Sequence, residues 1–344
     1  MKSGGCDMWA MVMKELRQVR RDRRTLAMMI VMPVILLVVF GYAASFDVAT
    51  IDVGVTGPGA DAVADRLPEP FHVVPVERAP VEALRHGEAD VVIDTAEDPP
   101  VASVDGAHLF TARAAVQVLT SAGRQGIPIE VDVLFNPELD TSAVLVPGLG
   151  GLILIFIGSL VTSLGVVRER QSGTLEQLAV MPFRPRDVFL GKIAPYFLVA
   201  SLDLILVLAV GSFLFDVPFT GSVLLLALGA VLFLFVTLGV GVLISTVSEN
   251  QGQAIQLAIM TLLPQVLLSG IIFPLDSMAA GVRWIGYLLP LTYFNQIARD
   301  VMLKAAPLAA VAQAMVLLGV LGLVVFVLAI LRFRSVLVPA GEGG

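Results

Sequence analysis

Residues 144–167 read VLVPGLGGLILIFIGSLVTSLGVV, 24 residues without a charge, and at Arg168 the chain breaks into RERQSGTLEQLAVMPFRPRD, with seven charges. An uncharged run of that length is what a helix needs to cross a hydrocarbon core about 30 Å thick. The polar island that follows runs into a second apolar stretch. A soluble core has no reason to alternate in this way. The pattern therefore predicts a polytopic helical membrane protein, with the island held at one membrane surface.

The whole chain agrees. Of 344 residues, 57% are hydrophobic and 15% charged, against about a quarter charged in ordinary soluble domains; mean hydropathy is +0.88. Six spans are expected, at 25–46, 144–167, 188–215, 222–247, 253–273 and 308–331. Residues 1–24 carry a Trp, an apolar face and seven basic residues, as suits a helix lying in the interface. Residues 274–307 are broken by Pro274, Pro290 and Pro307 and read as re-entrant or interfacial helices. Residues 332–344 form a tail.

Residues 47–143 differ. They hold 17 of the 29 acidic residues, five arginines and all three histidines. Short apolar strands alternate there with helical pieces, which predicts a small α/β domain. Lysine and arginine crowd the N-terminal flank, the island and the tail, and are sparse on the opposite side. The positive-inside rule then places both termini and residues 168–187 in the cytoplasm, and residues 47–143 outside. Arginine in excess of lysine suits a GC-rich bacterial genome, hence a bacterial inner membrane. Cys6 stands alone, so no intrachain disulfide is expected.

The island has internal order. Thr174-Leu-Glu-Gln177 fits a capping box, Glu176 sits where a helix dipole favours an anion, and Pro182 ends the helix. Leu175 and Leu178 share a face. A short capped helix with charges at one end suggests docking of a partner; a loop obeying the charge rule is the plainer alternative.

These residues also carry a resemblance. NPELDTSAVLVPG, VRERQSGTLEQLAVMPFRPRDVFLGKIAPY, LSGIIFPLDSM and YLLPLTYF resemble permease subunits of ABC-2 type exporters, the multidrug and antibiotic type with a large external domain between spans one and two (type V exporter-like). The resemblance implies that the island is a coupling helix docking a cytoplasmic ABC ATPase through Arg168, Glu169, Arg170, Gly173, Thr174, Leu175, Glu176, Gln177, Leu178 and Pro182. It also implies that residues 1–24 are an elbow helix and that a second permease, a copy or a relative, completes the path. This chain has no G-x-x-x-x-G-K-[ST] loop. It is therefore expected to bind no cofactor, with ATP and Mg on the partner ATPase.

Candidates for the path are fewer. Gly151, Gly158 and Gly165 recur every seven residues and allow close helix approach, either within the chain or against a second permease. Asp203 is the one acidic residue inside a span. It could meet a cationic substrate or serve as a helix contact. Gln256 and Gln265 lie nine residues apart, on opposite helix faces. The histidines lack metal spacing, and the acidic domain argues against nucleic acid. An amphipathic drug, antibiotic or lipid is the expected substrate. A membrane scaffold or sensor with a ligand-binding external domain, or a proton-coupled transporter using Asp203, stands as the alternative.

Overall fold

The computed structural model describes residues 50–124, 129–172 and 185–337. The expected elbow helix, the 25–46 span and the island residues 173–184 lie outside them.

The first part is an α/β unit. Its elements run β1 (Ile51–Thr56), α1 (Ala60–Ala64), β2 (Phe71–Val73), α2 (Pro80–His86), β3 (Val91–Asp94), β4 (Val101–Asp105), α3 (Leu109–Arg124) and β5 (Glu130–Leu134). The sheet order is β2-β1-β3-β4-β5. β1 pairs in parallel with β2 and β3, β3 pairs with β4 antiparallel, and β4 pairs with β5 in parallel. Helices cover both faces. Ala112, Ala115 and Leu119 of α3 seal Ile51, Val53, Ile93 and Val104 on one side. Ala83 and Leu84 of α2 seal Val92 on the other. Strands buried on both faces read as apolar runs, and VVID of β3 does so, with Val91, Val92 and Ile93 all buried.

A knot of polar groups joins this unit to the helices. Asn136 is buried; its side-chain oxygen accepts from the Asp140 N–H at 3.0 Å, and its Nδ2 donates to the Asp140 carbonyl, also at 3.0 Å. Phe135 and Leu139, with φ of 67° and 51°, take the left-handed turns this requires. Asp140 then caps the next helix by accepting from the Ser142 N–H at 3.1 Å. The Ser142 amide and hydroxyl, outweighing slight burial, hold its carboxyl below the usual 3.8.

Beyond it lie α4 (Thr141–Gln171), α5 (Pro185–Leu214), α6 (Val223–Val247), α7 (Gln251–Leu268), a 3-10 turn (Leu275–Ser277), α8 (Ala280–Gly286), α9 (Pro290–Lys304) and α10 (Leu308–Leu337). Among the described residues, four helices are long and apolar enough to cross a membrane: Thr141–Gln171, Ala194–Leu214, Val223–Val247 and Leu308–Arg332. Several ends differ from expectation. α4 begins three residues before 144 because Asp140 caps it, and it absorbs Arg168, Glu169 and Arg170 as its last turn. α7 stops at Leu268, short of 273, because Gly270 turns the chain at φ 83°. With 18 residues, three of them Gln among the first six, α7 is about 27 Å long.

α9 is the plug of the bundle. Leu291, Phe294, Ile297 and Val301 are buried against Leu154 of α4, Phe233 of α6 and Leu318 of α10. The Phe233 and Phe294 rings stack at 4.5 Å and 13°. α4 and α6 meet at glycines. A Cβ at Gly158 would stand 2.8 Å from Thr237 Oγ1, and one at Gly241 would stand 2.8 Å from the Ser159 carbonyl oxygen. Gly158→Leu should therefore force α4 and α6 apart, costing about 1–3 kcal/mol, read as a lower unfolding midpoint in detergent. Gly281→Ala, which meets nothing within 4 Å, should leave that midpoint unchanged.

Candidate functional site

Two ends of α4 matter. Over 31 residues the helix spans about 46 Å, with the α/β unit at its start and the polar island at its finish. At the finish, Arg168 and Arg170 occupy the last turn, where a helix dipole favours cations. The Ser172 hydroxyl donates to the Glu169 carbonyl at 3.0 Å. Gln171 accepts from Gln251 Nε2 at 3.1 Å, tying α4 to the start of α7. Beside it a hollow of about 640 Å³ is lined by Arg170, Ser248, Glu249, Leu257 and Arg332. The rest of the expected docking set, Gly173, Thr174, Leu175, Glu176, Gln177, Leu178 and Pro182, lies outside the described residues.

The path candidates are scattered. Gly151 faces Leu291 and Phe294 of α9, Gly158 faces Thr237 of α6, and Gly165 faces Tyr196 of α5. All three approach helices of this chain. The close packing is therefore internal, and this face of α4 is taken up by the chain's own helices. Asp203 is half-buried on α5, and Gln256 is half-buried on α7. Gln265 is buried, and its Oε1 accepts from the Leu291 N–H at 3.2 Å. It thus satisfies one of the open N–H groups at the start of α9, whose own N-cap, Leu289, has no side chain able to do so.

The densest chemistry lies where the sequence drew least attention, at the end of α9 against the α/β unit. Lys304 is 2% exposed. Its ammonium forms an ion pair with Asp105 of β4, itself 1% exposed, and lies 3.5 Å from Asp300 one turn earlier. Arg85 of α2 donates from Nε to the Lys304 carbonyl at 2.8 Å while its other arm meets Glu82 at 2.6 Å. Thr220 donates its hydroxyl to the Met302 carbonyl at 2.8 Å. The open carbonyls at the end of α9 are thereby met from two directions. Beside this, Arg299 donates to His108 Nε2 at 2.7 Å, and His108 Nδ1 stands 3.3 Å from Asp90 and 3.4 Å from Asp105. Burial alone would raise the Asp90 pKa, but His108, the Asp52 amide and the Lys304 charge outweigh it and hold the carboxyl below its usual 3.8.

A cavity of about 190 Å³ opens next to this cluster, lined by Asp90, His108, Ser269, Ser277, Asn295 and Arg299 among others. A second, of about 340 Å³, shares His108 and Gln296 and reaches Leu317 of α10. Arg299 and Lys304 are two of the few basic residues on the side where the charge rule expects lysine and arginine to be sparse. The available signal was an i, i+4 pair, Asp300 and Lys304, at the end of the segment 290–304. Among the described residues, no group of His, Cys, Asp and Glu is arranged to hold a metal ion.

Comparison with known proteins bears on all of this. The family model described as ABC-2 family transporter protein matches residues 23–331. The chain is 31% identical over 321 residues to "Probable multidrug ABC transporter permease YbhS" of Escherichia coli (strain K12), covering 83% of this chain and 85% of that protein. It is 28% identical over 334 residues to "Probable multidrug ABC transporter permease YbhR" of the same strain, covering 88% and 91%. It is 30% identical over 173 residues to "ABC transporter G family member 20" of Dictyostelium discoideum, covering 50% of this chain and 24% of that one.

Lys304→Met should leave Asp105 and Asp300 buried without their cation, at a cost of about 3–5 kcal/mol, seen as a large drop in the thermal midpoint of the purified protein. Adding Asp105→Asn should recover part of it. Asp90 ionises more readily folded than unfolded. Its contribution is therefore full above about pH 3.9 and fades as pH falls through its lower folded value. Wild type and Asp90→Asn should converge in stability on that acid side.

Proposed function

The chain belongs to the ABC-2 family of transporter proteins, and on that footing we propose that it is the membrane permease subunit of an ATP-binding cassette exporter. The substrate it moves outward is amphipathic or lipid-like: a drug, an antibiotic or a lipid. The observation that carries this is the reach of the family match, residues 23–331, which takes in the four long apolar helices and the polar island between two of them. The multidrug permease names of the two Escherichia coli relatives favour the same substrate class.

In this reading the island 168–187 faces the cytoplasm and docks a separate ATPase that holds ATP and Mg. Both termini share that side, and residues 47–143 stand outside a bacterial inner membrane. ATP binding moves the docked island, and α4 carries that motion to the Asn136–Asp140 knot. The nucleotide state of the partner thus shifts the populations of two conformations of this chain. A second permease, a copy or a relative, and lipid share the apolar faces left bare, such as Leu198, Leu202 and Ile205 of α5, each more than 60% exposed. Asp203, half-buried on the same helix, is available to either.

The test is purification of the tagged chain from its own cells in mild detergent, with mass spectrometry of what accompanies it and an ATP hydrolysis assay. An ATPase in stoichiometric amount is expected with the wild type, and Glu169→Ala with Glu176→Ala should lose it while the chain still inserts. Absence of any ATPase with the wild type would overturn the reading.

A further inference from the structure

An arginine guanidinium only donates hydrogen bonds. The 2.7 Å contact between Arg299 and His108 Nε2 therefore requires a lone pair on that nitrogen, so the imidazole is neutral in this arrangement. The surrounding charges pull the other way. Asp90 before β3, Asp105 at the end of β4 and Asp300 on α9 are three carboxylates. Among the described residues, Arg299 and Lys304, both on α9, are the fixed cations that answer them within the cluster. From α2, Arg85 and His86 face the cavity that His108 also lines, with Tyr287 and Tyr293 across it; Arg85 and His86 both lie close to Glu82. A proton on His108 would balance the three acids, but it would set two cations face to face.

The cavity that Arg299 and His108 both line supplies the way out. The Ser269 and Ser277 hydroxyls that line it are buried without a hydrogen-bond partner, as is Arg299 Nε. Ser269 is 2% exposed, and Asn295, 6% exposed, also lines the space. Buried polar groups left open need a reason, and hydroxyls can accept as well as donate.

We propose that His108 is a proton-controlled clasp: neutral, it holds Arg299 and with it α9 against the α/β unit; protonated, it releases the guanidinium into the neighbouring cavity, where Ser269, Ser277 and Asn295 receive it. Lys304 and Arg85 keep the two parts together in both states, so the clasp loosens the joint without undoing it. Histidine suits the role because its proton exchanges between about pH 5 and 8.

The chain has three histidines, so the full-length protein, carrying a histidine-free tag and labelled at imidazole carbon, gives three resonances to follow against pH in nanodiscs. His72→Gln and His86→Gln identify the third as His108. Arg299→Met removes the opposing cation and should raise the His108 midpoint by about one pH unit. Ser269→Ala with Ser277→Ala removes the receiving groups and should lower it, in a variant that loses only two hydroxyls. An unchanged midpoint in the double serine variant would overturn the clasp, as would an unchanged or lowered midpoint in Arg299→Met. The readout needs neither the ATPase nor an orientation in the membrane, so it stands or falls apart from the export reading.

Discussion

A lysine ammonium cannot be taken out of water without carboxylates to meet it, and Lys304 is 2% exposed. One of its partners, Asp105, belongs to the sheet; the other, Asp300, belongs to its own helix. The charge therefore constrains two parts of the molecule at once. The last turn of α9 must stay helical to hold Asp300 at i and Lys304 at i+4, and β4 must end where Asp105 can reach. Around that pair, Arg85 and Thr220 answer the helix carbonyls, so the end of α9 is finished by groups from elsewhere in the chain.

The same holds at the other end of α9. One of its first N–H groups, that of Leu291, is met by Gln265 of α7, and its apolar sides fill the space between α4, α6 and α10. A helix of 15 residues gains little from propensity alone. Its stability comes from being enclosed. Residues 274–307 thus divide into an exposed approach, with Trp284 and Leu288 more than half exposed, and a buried plug.

Four long apolar helices were legible because a run without charge has few alternatives, and the α/β unit because short apolar strands alternated with helical pieces between turn residues; of the other two expected spans, 25–46 lies outside the described residues and 253–273 became the shorter α7. Helix ends were less so. Asp140 reads as a cap only once Asn136 is known to hold its backbone, and Gly270 as a stop only once its φ is known. The glycines at 151, 158 and 165 announced close approach through their spacing, but spacing cannot say to what; each turned out to face a different helix of this chain. The charged joint was hidden for a physical reason. Its contacts run between residues 191 to 220 positions apart, and no local pattern encodes a partner at that distance.

That separation has a consequence in time. Asp105 leaves the ribosome about 200 residues before Lys304, which at 5–20 residues per second is roughly 10–40 s. Throughout that interval the β4 carboxylate has no ammonium to meet and must remain hydrated. The α/β unit can fold its own sheet early, but it cannot be seated on the bundle until the penultimate helix is made. The newborn protein therefore passes through a stage in which a finished unit rides loosely on an unfinished membrane part. The late lysine closes that stage.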